Sequence, residues 1–141
     1  MQLTIMVRLR NVSAYRGVTP SEGQGLKIGN TPLYSLEAIK EIAKKPNAVF
    51  LWTEKSQQHV ADMNLDTDGV ANLIQTIKDS EYRDSEWCEN GKGCIAGCDS
   101  YGFIRREYCE AAQKMLDFDY YFKLGINKTN SVILIASCHP S

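Results

Sequence analysis

Apolar and polar residues change their spacing several times along this chain, and each change predicts an element. Gln2 to Leu9 alternate, with Leu3, Ile5, Val7 and Leu9 on one side, which predicts a strand. Residues 17–30, GVTPSEGQGLKIGN, are glycine-rich and predict a loop or an arm. In SLEAIKEIAKK, residues 35–45, Leu36, Ile39 and Ile42 or Ala43 recur at helical spacing. Ser35 suits the N-cap, Glu37 the first turn, and Lys44 and Lys45 the negative C-terminal end, before Pro46 stops the helix. NAVFLW, residues 47–52, predicts a short buried strand, and TEKSQQHVADMN, residues 53–64, a second helix. Asp66 can cap a third helix, with Asp68 in its first turn and Val70, Leu73, Ile74 and Ile77 as its apolar stripe.

The second half reads differently. SEYRDSEW, residues 80–87, predicts a strand. CENGKGCIAGCDSYG, residues 88–102, is rich in glycine and predicts a loop or hairpin tip. FIRREYCEAA, residues 103–112, fits a strand or a helix. DYYFKLGIN and SVILIASC predict two strands joined by the polar turn NKTN, the second of them central to the core. Helices first and an antiparallel run of strands afterwards predict an α+β domain, with N-terminal helices packed on a mainly antiparallel sheet.

Composition narrows this reading. At 141 residues the chain suits one domain, residues 1–141, and hydrophobic residues at 43% suit a globular one. The longest apolar runs fall well short of a membrane span, and MQLTIMVRLR makes a poor signal peptide, so a cytoplasmic protein is expected. The net charge of −1 does not advertise nucleic-acid binding. Its distribution is uneven: residues 1–30 carry Arg8, Arg10, Arg16 and Lys27 against Glu22 alone, while residues 79–141 lean acidic.

Five cysteines is an odd number, which with no export signal points to reduced thiols. Cys88, Cys94 and Cys98, with Cys109 downstream, give a weak zinc spacing without a C-x2-C pair. A disulfide between two of the loop thiols, or simply free thiols, are the alternatives. Phosphate-cradling GxxxxGK[ST] and GxSxG patterns are absent from the sequence. Of the two histidines, His59 lies among polar helix residues and is expected on the surface, whereas His139 stands where the last strand ends.

From Tyr34 onward the chain resembles the motility quorum-sensing regulator (MqsR) family, RelE-like mRNA interferase toxins of bacterial toxin–antitoxin pairs. Four pieces carry the resemblance: PLYSLEAIKEIAKK, LDTDGVANLIQTIKDSEY, YYFKLGI and VILIASCH. It covers residues 34–141 and leaves residues 1–30 as an extra strand or arm. It implies a RelE-like fold and a toxin that cuts mRNA without metal or cofactor, by attack of the ribose 2′-hydroxyl on the adjacent phosphate. A single-stranded RNA substrate and a neutralising antitoxin protein are implied partners, with DNA binding only through the antitoxin complex.

Carried over residue by residue, the resemblance implies Tyr121, Lys123, Arg105 and His139 as the catalytic group, with His139 in place of a family lysine. That reaction needs a base, an acid and cations to hold the phosphate charge. An imidazole can take or give a proton near neutral pH. Tyr121 and Lys123 alternate on a strand and so share a face. Arg105 and Arg106 are adjacent, so one of them faces each side; Arg83 and Arg106 are candidate RNA-binding cations. A gapless extension puts Asp84 where the family has a lysine, so either the register slips by one or that cation is missing. A non-catalytic relative, serving as a binding or regulatory module, is the alternative function, and a small zinc module is a third.

Overall fold

A computed structural model describes residues 9–20 and 26–140; the strand predicted over Gln2 to Leu9 lies almost wholly outside them. The elements run β1 (Arg10–Asn11), β2 (Lys27–Gly29), α1 (Leu36–Ala43), β3 (Val49–Leu51), α2 (Glu54–Asp62), α3 (Thr67–Thr76), a 3-10 turn (Asp79–Glu81), β4 (Tyr82–Glu89), β5 (Cys94–Cys109), β6 (Lys114–Ile126) and β7 (Ile133–Pro140). The described residues are thus α+β, with three helices and one open seven-stranded sheet among them. The helices do not simply precede the strands, because short strands stand before α1 and between α1 and α2.

Local chemistry sets each helix. Ser35 caps α1 by accepting from the Ala38 N–H. Thr53 and Ser56 form a reciprocal capping box on α2, and Asp66 accepts from the Gly69 N–H at the start of α3. The sheet order is β2-β4-β5-β6-β7-β3. Pairing is antiparallel except at β3 with β7 and at β1, which lies parallel beside the start of β5.

One face of the sheet carries the main core. Ile39, Val70 and Ile74 from the helices meet Tyr101, Phe103, Phe122, Leu124, Ile133 and Ile135 from the strands, all buried. A smaller cluster gathers Ala96, Cys98, Leu134 and Ala136, with Trp52 packed against it. β7 therefore contributes to both clusters, which explains its unbroken apolar run.

The largest departure from the sequence reading is residues 88–102. Only residues 90–93 turn; the rest belongs to β4 and to β5, a central strand. Its small residues accommodate close neighbours rather than a loop. A Cβ on Gly97 would sit 2.6 Å from the Tyr15 ring, and one on Gly125 would sit 2.6 Å from the Gly97 carbonyl oxygen. Gly125→Ala therefore forces one backbone away from another, and we expect a loss of about 1–3 kcal/mol in chemical denaturation. Residues 103–109 are strand, and 27–29 within the expected loop form an edge strand. Among the described residues no helix is long and apolar enough to cross a membrane.

Candidate functional site

β6 sends Tyr120, Phe122 and Leu124 into the core, so Tyr121 and Lys123 face the other way. Whether His139 joins them depends on the pairing of β7. Near the turn, Leu124 pairs with Ile135; one step on, Lys123 pairs with Ser137, because Ala136 is an extra residue in β7. This bulge sets Tyr121 opposite His139 instead of Cys138. The Thr53 hydroxyl donates to the Ala136 carbonyl at 2.7 Å, so the cap of α2 also satisfies the bulge.

The same bond fixes α2 along β7. Ser56 and Val60 are buried there, and the Cys138 thiol donates to the Ser56 carbonyl at 3.8 Å. His59 lies one turn beyond Ser56 and turns its ring towards His139. The ring centroids are 5.2 Å apart and edge-on, and the Tyr121 ring lies 5.4 Å from His139 on the next strand. His59 is thus half-buried, not the plain surface residue its polar neighbours predicted. Only the tertiary placement of α2 reveals it; the sequence gives no sign beyond the presence of a second imidazole.

The row continues across the sheet. Tyr121 pairs with Gly102, and a Cβ on Gly102 would lie 2.7 Å from Nε of Arg83. The absence of that side chain lets the Arg83 guanidinium lie over the strand on the face of Tyr121. A second bulge, between Tyr82 and Asp84, puts Arg83 there. The open question of register has a double answer: Arg83 reaches this face, and so does Asp84, whose carboxylate accepts from the Ser100 hydroxyl next to Lys123. Lys123 forms an ion pair with Glu86 and lies 5.7 Å from the Tyr121 ring centroid. Burial works against its charge, yet Glu86 holds the ammonium above the ordinary lysine value.

The structure thus brings together Arg83, Tyr121, Lys123 and His139, and adds His59. It does not bring Arg105. That residue shares the helix side with Phe103, where its guanidinium bonds both carboxylate oxygens of Glu81, at 3.0 and 3.1 Å, and the Thr76 carbonyl at 2.6 Å. Burial opposes charge on Glu81, but Arg105 and the Lys78 N–H hold its carboxyl below the usual value. Arg105 joins β5 to the end of α3, on the sheet face opposite that of Tyr121. Arg106 lies farther out on the β5–β6 ribbon, in an exposed ion pair with Asp117.

The zinc reading fails on geometry. Cys94 and Cys109 begin and end a strand of 16 residues, roughly 50 Å of extended chain. Among the described residues no three His, Cys, Asp or Glu side chains are grouped to hold a metal ion.

Chemically, one sheet face offers an imidazole, a phenol and two cations, and α2 brings a second imidazole beside them. Burial and the nearby His139 lower the proton affinity of His59 below that of an ordinary imidazole, and Lys55 adds to this while Asp62 opposes it. No family model matches this chain, and no curated protein matches it.

Proposed function

We propose that this protein is a metal-independent endoribonuclease of RelE-like type, the cytoplasmic toxin of a toxin–antitoxin pair. The observation that carries the reading is the in-register pairing of Tyr121 with His139, with Lys123 beside them on the same face. Single-stranded RNA is commonly held by stacking on aromatic rings, which Tyr121 offers. Arg83 and Lys123 supply positive charge for the phosphate, and Arg83 can do so bidentately. His139 moves a proton during attack of the 2′-hydroxyl, and an antitoxin protein neutralises the enzyme by covering this face. Glu86 already balances Lys123, so Arg83 carries more of the phosphate charge than the resemblance implies.

The reading has a direct check. Purified protein in EDTA is expected to cut a mixed-sequence single-stranded RNA and leave 2′,3′-cyclic phosphate ends. RNA that stays intact, with and without ribosomes, would falsify it. Binding of the same RNA without cleavage would instead favour the regulatory alternative, to which Asp84 on the same face lends support.

A further inference from the structure

We propose that His59 and His139 act as one acid–base unit, two imidazoles that together hold a single proton while the site works. The proposal rests on the ribonuclease reading for its substrate, and on the geometry of α2 against β7 for everything else. The rings meet edge-on with centroids 5.2 Å apart, too close for both to carry charge without mutual repulsion. The Tyr121 ring also lies against His139, with centroids 5.4 Å apart. Among the described residues Nδ1 of His59 is buried without a hydrogen-bond partner, so the proposal gives the proton exchange to Nε2.

Among the described residues, charged and titratable groups near the His59–His139 pair come from α2, β7, β6 and β4. α2 supplies Lys55 and Asp62, of opposite sign; β7 supplies His139; β6 supplies Tyr121, behind which Lys123 is matched by Glu86 of β4. Asp62 is engaged by the Gln58 amide at 2.8 Å. Burial and the proximity of His139 both favour the neutral form of His59. The proposal assigns His59 as the base and His139 as the acid.

The step balances within the pair. His59 takes the proton of the 2′-hydroxyl as the bond from O2′ to phosphorus forms. The bond from phosphorus to O5′ breaks, and His139 gives its proton to the departing oxygen. The unit begins and ends with one proton, so its total charge is constant throughout the transfer. Neither a metal nor an outside acid is needed.

Two measurements on the full chain test this. The first is a pH profile of cleavage of a dinucleotide-containing RNA for the wild type, His59→Gln and His139→Gln. The wild type is expected to give a bell. His59→Gln should lower the rate at neutral pH by roughly 10²-fold or more and remove the acidic limb. His139→Gln should remove the alkaline limb. The second is an NMR titration of the imidazole signals, which also reports folding. His139→Gln should move the His59 midpoint upward, by relief of repulsion. An unmoved midpoint overturns the pairing whatever the enzyme does. A moved midpoint with full activity and an unchanged profile in His59→Gln overturns the catalytic role alone. A wild type that binds RNA but never cuts it overturns the ribonuclease reading and the catalytic role with it, while ring coupling in the NMR would still be seen.

Discussion

Tyr121→Ala with His139→Ala is expected to reduce RNA cleavage by roughly 10³–10⁴-fold while leaving the protein folded. The size follows from what is removed. A single positioned acid or base contributes about 10²–10⁴-fold, and the phenol contributes alignment of the nucleobase that stacks on it. The effects of two residues in one unit do not multiply. Both side chains face away from the main core, so the melting temperature should change little. Arg105→Ala makes the informative contrast. It strips Glu81 and the Thr76 carbonyl of their partner, so it should lower stability and spare the chemical step. The reading is checked by single-turnover cleavage beside thermal unfolding of the same preparations. Full activity in the double variant would move the active centre elsewhere, and a slow step in Arg105→Ala at temperatures where it is folded would return that residue to the site.

Asp99→Ala should lower unfolding free energy by about 3–5 kcal/mol, moving the urea midpoint down by about 2 M. Asp99 is 0% exposed and accepts from the Leu33 N–H at 2.9 Å, the Tyr34 N–H at 3.1 Å and the Ser85 hydroxyl at 2.5 Å. Together with the Tyr34 hydroxyl, which donates to the Gly97 carbonyl at 2.6 Å, these bonds tie the start of α1 to β4 and β5. Alanine takes the acceptor from the Leu33 and Tyr34 N–H groups, while the Ser85 hydroxyl keeps the Thr31 carbonyl. Burial raises the Asp99 carboxyl above the ordinary aspartate value, although the three donors pull the other way. The sign follows: the contribution is largest at acid pH, where the carboxyl is protonated in both states, and declines as pH rises through the raised folded value. Asp99→Asn keeps one acceptor and needs no charge, so it should cost less than alanine at every pH, while the loss of each variant relative to the wild type should shrink as pH rises. Equal losses at every pH would show that shape, not charge, matters at this position.

How much of this was legible depended on whether an element's cause was near it in sequence. Ser35, Thr53 and Asp66 cap helices through residues three positions away, so those helices could be read directly. The β5 strand could not. Its Gly97 and Asp99 take their meaning from Tyr15, Leu33 and Tyr34, more than 60 positions distant, and a run of small residues reads as a loop when those neighbours are out of view. The site was legible by parity for Tyr121 and Lys123, which are two apart on one strand. His139 and Arg83 needed bulges, each of which reverses which face a residue takes, and sequence alternation carries no mark of an inserted residue. His59 needed the placement of a whole helix.

The parallel pairing of β3 with β7 has a consequence for how the protein is made. Val49 to Leu51 lie beside Ile133 to Ile135, so an early segment waits for a late one. During translation the three helices leave the ribosome with an apolar face and no sheet to cover it, and contacts this distant in sequence form slowly. The carbonyl that receives Thr53 and the imidazole that meets His59 are both among the late residues. A growing chain therefore lacks the assembled row of Tyr121, His139 and His59 until about residue 139 is free of the exit tunnel. For an enzyme of the proposed kind, that order of synthesis keeps the site apart while its own message is being read.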